Sequence, residues 1–177
     1  GFGANLAPAW LQAAVGGYVE LIRNTPFIVQ LFFIFFGLPA AGVKISAETA
    51  SVIAMVINLG AYAAEIIRAG LEATPKGQIE AAQSLALNFG EQLRYIILPQ
   101  ALRIAIPPTV GFLVQVVKGT ALASLIGFVE LTKAGTMITN ATFRPFLVYG
   151  CVAVIYFLLC YPISLYAKTL EGKIHAR

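Results

Sequence analysis

Charge-free runs set the pattern of this chain. Asn24–Val43 spans twenty residues without a charge and includes FIVQLFFIFFGL; Thr49–Ala64 spans sixteen, Ile104–Val117 fourteen and Pro145–Ala167 twenty-three. A helix that crosses a membrane needs about 20 apolar residues, with a range of roughly 17–25. The last run satisfies this alone. The first does so with Gly37 and Pro39 near its end, the second by borrowing a flank through Ile67. The third continues past Lys118, beyond which apolar residues resume as far as Val129. Four spans are predicted. Residues 1–17 are rich in Gly and Ala with one Trp, and read either as an interfacial helix or as the remnant of a lost span.

Helix starts are marked by Thr25-Pro26 and Thr74-Pro75, a capping hydroxyl followed by a proline whose missing N–H does no harm in the first turn. Pro107-Pro108 fits only a first turn or a kink. Between the second and third runs lies a polar, amphipathic stretch, Gln78–Gln100. From Thr74 to Leu87 its pattern predicts a short helix with Ile79, Ala82, Leu85 and Ala86 on one face. Glu80 is expected near the start of that helix, where a carboxylate suits the dipole. A second short helix is expected after Asn88-Phe89-Gly90, ending at Pro99.

Composition sharpens the class. Of 177 residues 59% are hydrophobic and 11% charged, against about 25% charged in a soluble domain. An all-α integral membrane protein follows. The net charge of +4 is scattered, which excludes a nucleic-acid surface. Aspartate is absent and no phosphate-binding loop occurs, so no Asp is available to hold Mg²⁺ as NTPases do. A Ser/His/Asp constellation and a metalloprotease motif are excluded equally. Cys151 and Cys160 sit nine apart, about half a turn out of phase on one helix. His175, in a basic tail, has no second ligand for a metal. The chain begins at Gly1 with no signal-peptide n-region, so an amino-terminal segment is expected to be missing.

With the polar stretch in the cytoplasm, Arg23, Arg68, Lys76, Arg94, Arg103, Lys168, Lys173 and Arg177 all lie inside and only Lys44 and Arg144 outside. Basic residues favour the cytoplasmic side, so both ends are placed there.

The spacing within the polar stretch carries a resemblance. Glu80-Ala81-Ala82 and Ile96-Ile97-Leu98-Pro99 stand in the register of the EAA motif of binding-protein-dependent ABC importer permeases, although Ala86 occupies the motif's glycine position. That glycine turns between two short helices in a left-handed conformation, where Ala is disfavoured by about 1 kcal/mol. Glu20-Leu21-Ile22-Arg23-Asn24-Thr25-Pro26, Phe36-Gly37-Leu38-Pro39, the Gly60–Gly70 segment and Glu130-Leu131 resemble the polar amino-acid (histidine/glutamine) branch. Val117-Lys118-Gly119-Thr120-Ala121-Leu122 is similar to its K-D-T-S-L segment, with Gly119 and Ala121 replacing Asp and Ser.

The resemblance implies a type I ABC importer helix bundle over 18–177, the family's first span apparently missing, with a cytoplasmic coupling loop over about 72–100. It implies a multi-pass, non-catalytic subunit in the bacterial inner membrane that binds no cofactor. ATP and Mg²⁺ belong to a dimer of partner ATPase subunits. The other implied partners are a second permease, identical or homologous, a periplasmic solute-binding protein and a polar amino-acid substrate. The loop residues Gly77, Gln78, Glu80, Ala81, Ala82, Ala86, Ile96, Leu98 and Pro99 would meet the ATPase.

Candidates for lining a pathway are Asn58, Tyr62, Glu65, Gln115, Lys118, Thr120, Ser124 and Glu130. Asn58, Tyr62 and Glu65 form one helical stripe, equally readable as packing with a satisfied ion pair, since Glu65 and Arg68 stand at i and i+3. Gly60 and Ala64 let a neighbouring helix approach. Lys118, mid-span, is expected to pair with Glu130 or Glu65 rather than meet substrate, because an unpaired charge there costs at least about 2.5–3.5 kcal/mol. Arg23 and Arg94 read as interfacial anchors, and Phe32, Phe33, Phe35 and Phe36 as lipid-facing or packing residues. A non-transporting scaffold that recruits a soluble partner through the same loop is the alternative function.

Overall fold

The computed structural model describes residues 8–175, with His175 by its backbone only. Expectations for residues 1–7, the His175 side chain and Arg177 lie outside the described residues. Every regular element described is helical: α1 (Ala9–Arg23), α2 (Phe27–Ala40), α3 (Ala47–Glu72), α4 (Lys76–Ser84), α5 (Phe89–Gln92), a π-turn (Leu93–Ile97), α6 (Leu98–Gly119), a 3-10 segment (Thr120–Ile126), α7 (Leu131–Thr142) and α8 (Pro145–His175).

Among the described residues three rods are long and apolar enough to cross a membrane: Ala47–Glu72, Phe89–Ile126 and Pro145–Ile174. At 1.5 Å per residue α3 alone is about 39 Å long, against a hydrocarbon core of about 30 Å. The first expected span is different. α2 has 14 residues and rises only about 21 Å. It joins α1 through a bend of 105°, and the bent pair makes a fourth crossing if it counts as one. Pro26 explains the break, because it cannot donate an N–H and pushes Thr25 out of the helical region.

Thr25 does not cap α2, contrary to expectation. Its hydroxyl turns back and donates to the Leu21 carbonyl at 2.8 Å, filling an acceptor left open by the end of α1. Pro26 itself is the N-cap of α2. Thr74 likewise does not cap α4: its Oγ1 is buried without a hydrogen-bond partner among the described residues. α3 is capped by Ser46, whose side chain accepts from the Thr49 amide.

Packing is the reverse of a soluble core. Among the described residues eight of the fourteen buried apolar side chains are alanines, and small residues let membrane helices approach closely. Large side chains such as Phe33, Phe36, Phe146 and Leu158 face outward, where lipid would cover them, while Phe32 and Phe35 pack against a cluster of Leu31, Ala50, Ala54 and Ile126. At the α3–α6 crossing a Cβ on Gly70 would stand 2.8 Å from the Ala101 carbonyl oxygen. Cys151 is exposed and Cys160 buried, as their half-turn offset requires.

The helix expected to end at Pro99 instead runs on to Ile126. The π-turn is the reason. The Leu98 amide bonds the Leu93 carbonyl, five residues back, and this widened turn places Pro99 in the first turn of α6, where its missing N–H is harmless. Pro107 and Pro108 lie inside α6, not in a first turn.

Candidate functional site

The bend between α1 and α2 is held by one buried side chain, Gln30. Its Nε2 donates to the Ile22 carbonyl at 2.7 Å, the Thr25 carbonyl at 3.0 Å and the Thr25 hydroxyl at 2.9 Å. Its Oε1 accepts from Asn58 Nδ2 at 3.1 Å, tying the bend to α3. Tyr18 adds a second tie: its hydroxyl donates to the Ile57 carbonyl at 2.5 Å and sits over Gly60, where a Cβ would approach it to 2.9 Å.

Arg23, the last residue of α1, reaches α3. Its Nη1 lies 3.3 Å from Glu65 Oε1, and its guanidinium stands 5.9 Å from the centre of the Tyr62 ring. Arg68 clasps the same carboxylate in a bidentate pair, at 2.9 and 2.6 Å, and extends to Glu72 at 2.7 Å. Two arginines thus share Glu65, the geometry expected of i and i+3 positions plus one cation from another helix.

A cavity of about 750 Å³ opens beside this cluster. Its walls come from the bend (Arg23 to Phe27), from α3 (Met55, Asn58, Tyr62) and from α6 and the 3-10 segment (Phe112, Gln115, Val116, Gly119, Leu122). Tyr62 stacks on Phe112 with ring centres 4.7 Å apart. Asn58 and Tyr62 occupy the middle third of α3, so the cavity flanks the middle of a span. Its size matches sites for small ligands, roughly 300–1,000 Å³.

Of the eight candidate pathway residues, the structure brings Asn58, Tyr62 and Gln115 together on this wall. Glu65 stands behind it, held by Arg23 and Arg68. The other four lie elsewhere. Thr120 and Ser124 return their hydroxyls to the Val117 and Ala121 carbonyls. Glu130 caps α7, accepting from the Thr132 and Lys133 amides at 2.8 and 2.7 Å, and receives the Tyr156 hydroxyl at 3.0 Å. Lys118 is exposed in the last turn of α6. The expected pairing of Lys118 with Glu130 or Glu65 is not formed, because Glu130 is engaged by α7 and Tyr156 and Glu65 by two arginines.

The EAA segment forms α4 and the turn after it. Gly77, Gln78, Glu80 and Ala81 are exposed, whereas Ala82 is 1% exposed and faces inward. Glu80 is mid-helix rather than near the start. Leu85 and Ala86 are exposed, not on a buried face with Ile79 and Ala82, because α4 stops at Ser84. Ala86 has φ +53°. The Ala86 amide bonds the Gln83 carbonyl and the Leu87 amide the Ala82 carbonyl, the pair of bonds that defines a Schellman turn with its left-handed residue at Ala86. Asn88 then caps α5 reciprocally with Glu91. Ile96 lies in the π-turn, and Leu98 and Pro99 open α6.

Sequence reasoning passes over Gln30 and reads Arg23 only as an interfacial anchor. Gln30 carries a readable signal, being the one hydrogen-bonding side chain between Phe27 and Gly37. Arg23 has a weaker one, a charge beside a helix break.

Comparison with known proteins gives the same picture. Residues 1–175 match the family described as binding-protein-dependent transport system inner membrane component. The glutamine transport system permease protein GlnP of Escherichia coli (strain K12) is 39% identical over 159 residues, covering 89% of this chain and 73% of that one. The L-cystine transport system permease protein TcyB of Bacillus subtilis (strain 168) is 40% identical over 158 residues, 89% of this chain and 68% of that one. A crystal structure of an amino acid ABC transporter with histidines superposes with a TM-score of 0.88 at 39% identity, over 97% of this chain and 79% of that chain. The inward-facing MetNI methionine ABC transporter shares the fold, with a TM-score of 0.73 at 20% identity over 98% of this chain and 82% of that one.

Proposed function

The chain belongs to the binding-protein-dependent transport system inner membrane component family, and from that premise we propose that it is the transmembrane permease subunit of an ATP-driven importer of polar amino acids. It is a multi-pass, all-helical inner-membrane protein of the type I importer fold. The observation that carries the transport reading is the cavity at the middle of α3, large enough for an amino acid and lined by amides, one guanidinium and an aromatic pair.

Coupling to a separate ATPase dimer falls to α4 and its Schellman turn. Gly77, Gln78, Glu80 and Ala81 project from α4 as a low exposed surface, suited to a cleft on another protein. The rod that begins at Phe89 runs without a break of more than one π-turn to Ile126. A push on α4 therefore passes through Asn88 into α6, one wall of the cavity. A second permease, identical or homologous, completes the pathway, a periplasmic binding protein delivers substrate, and ATP with Mg²⁺ resides on the ATPase.

Reconstitution tests this. Vesicles that hold the chain with its permease partner and ATPase, supplied with the binding protein, are expected to accumulate a labelled amino acid only with ATP. Glu80→Lys is expected to abolish accumulation and leave the helical bundle folded. A stable assembly with background uptake of every amino acid would leave a scaffold instead of a transporter.

A further inference from the structure

Among the described residues the cavity wall carries one full charge, the Arg23 guanidinium, and no carboxylate. Glu65 does not line the cavity and is engaged by both Arg23 and Arg68. Glu20 lies outside the wall as well, its carboxylate receiving Asn24 Nδ2 at 2.8 Å. The remaining polar groups on α3 and α6 are amides. Asn58 has one N–H committed to Gln30, and its side-chain oxygen accepts from no described residue. Gln115 makes no hydrogen bond to a described residue and keeps both a donor and an acceptor for a ligand.

A zwitterion fits this chemistry in one way. Its carboxylate meets Arg23, and its ammonium faces the Asn58 carbonyl and the Tyr62–Phe112 rings, since aromatic faces attract cations. That leaves the substrate's side chain to Gln115, the polar side chain that α6 gives the wall. An uncharged hydrogen-bonding group is satisfied there, because Gln115 both donates and accepts. A lysine or arginine side chain is not: it finds no anion on the described wall and meets the like charge of Arg23, and like charges brought together are disfavoured.

We infer that Gln115 is the specificity-determining residue of this cavity, and that the cavity selects amino acids with uncharged hydrogen-bonding side chains over cationic ones. The inference rests on the proposed transport role and narrows its substrate class.

The test measures equilibrium binding of labelled glutamine and lysine to the purified assembly with its permease partner and ATPase, without the binding protein, so that only the membrane site reports. The wild type is expected to prefer glutamine by roughly tenfold or more, the size of one unfavourable charge contact. Gln115→Glu supplies an anion on the α6 wall of the cavity and is expected to narrow or invert that preference by about the same factor. Met55→Glu, which adds a carboxylate to the α3 wall, gives the same direction of change if Gln115→Glu does not fold. Equal binding of both amino acids by the wild type, binding of neither, or an unchanged ratio in folded Gln115→Glu and Met55→Glu overturns the inference. ATP-driven uptake is read in parallel with a panel of amino acids. Uptake with an unchanged preference rejects the selectivity alone, whereas no uptake of any amino acid rejects the transport role beneath it.

Discussion

The Arg23 guanidinium lies 3.3 Å from the Glu65 carboxylate, and that pair fastens the bend between α1 and α2 to α3. Arg23 is two residues from the break at Thr25, so a contact that fixes its position also fixes the angle of the bend. Glu65→Gln and Arg23→Gln are each expected to lower the thermal midpoint of the solubilised assembly. Because the two groups touch, the double variant should lose less than the sum of the two singles. Strict additivity in thermal unfolding would mean that the bend is set by Gln30 and Pro26 alone.

Ala86→Gly should stabilise the coupling segment. Ala86 holds φ +53° at the position of a Schellman turn that favours glycine, and L-residues there are disfavoured by about 1–2 kcal/mol. Part of this gain is offset, because glycine loses more freedom on folding. The expected outcome is a rise of about 1 kcal/mol or less in the local opening free energy of α4, read by amide exchange, with ATP-driven uptake equal or higher. A clear loss of uptake in folded protein would show that the left-handed turn is not the conformation used in coupling.

That turn shows how far the sequence could be read. Three of the four apolar runs located helices long and apolar enough to span a membrane, because a residue that faces lipid or an alanine-packed interface is apolar on either side. A left-handed residue at Ala86 was suggested only by the resemblance, whose motif has glycine there, and the structure keeps that conformation with φ +53°. Two things were not legible. The run Asn24–Val43 looks uniform in hydropathy, so its break at Pro26 depended on local backbone sterics and the clasp of Gln30, a tertiary contact across the bend. The π-turn was hidden too. One extra residue in a helical turn leaves no compositional mark, and Pro99 looked like a terminus. Of the candidate site, Asn58, Tyr62 and Gln115 fell on the cavity wall; Asn58 and Tyr62 are half-buried there, as polar side chains in apolar runs turn inward, whereas Gln115 is exposed. Thr120, Ser124 and Glu130 obey the same rule for local reasons, satisfying their own helices.

Gly70→Ala should be poorly tolerated. The added Cβ would stand 2.8 Å from the Ala101 carbonyl oxygen and 3.3 Å from the Ala105 Cβ, and both belong to α6, so the helices must part. Overpacking of this kind costs typically about 1–3 kcal/mol. Gly111→Ala, where nothing lies within 4 Å, is the control and should be neutral or slightly stabilising. Thermal unfolding of the two variants side by side checks the pair, and equal midpoints would count against the α3–α6 crossing.

Gln30→Leu removes the clasp and keeps the volume. The Ile22 and Thr25 carbonyls and the Asn58 amide lose a partner at once, and unsatisfied buried groups cost about 1–3 kcal/mol each before water relieves them. The expected result is a lower midpoint together with faster proteolysis within Asn24–Pro26. Gln30→Glu, which accepts from Asn58 but cannot donate to the carbonyls, should fall on the same side. Wild-type proteolysis in both variants would place the stiffness of the bend in Pro26.

Glu130 distinguishes a structural acid from a pathway acid. Both of its oxygens are engaged: Oε1 accepts from the Lys133 amide, and Oε2 accepts from the Thr132 amide and the Tyr156 hydroxyl. It thereby starts α7 and binds α8 to it. Glu130→Ala should lose about 1 kcal/mol, the ordinary worth of an N-cap, and more if Tyr156 is left without an acceptor. Tyr156→Phe removes that second bond together with the Tyr156–Thr132 hydroxyl contact at 3.1 Å, keeps the N-cap, and should lose less. Glu130→Gln keeps one carbonyl oxygen for the amides and removes the charge, so a structural role predicts near-normal uptake with a modest drop in midpoint. A role on the pathway predicts the opposite, normal folding with uptake lost, because only the charge has changed. Uptake and thermal midpoint measured on the same preparation decide between them, and the hydrogen bonds at 2.7 and 2.8 Å to the first turn of α7 favour the first.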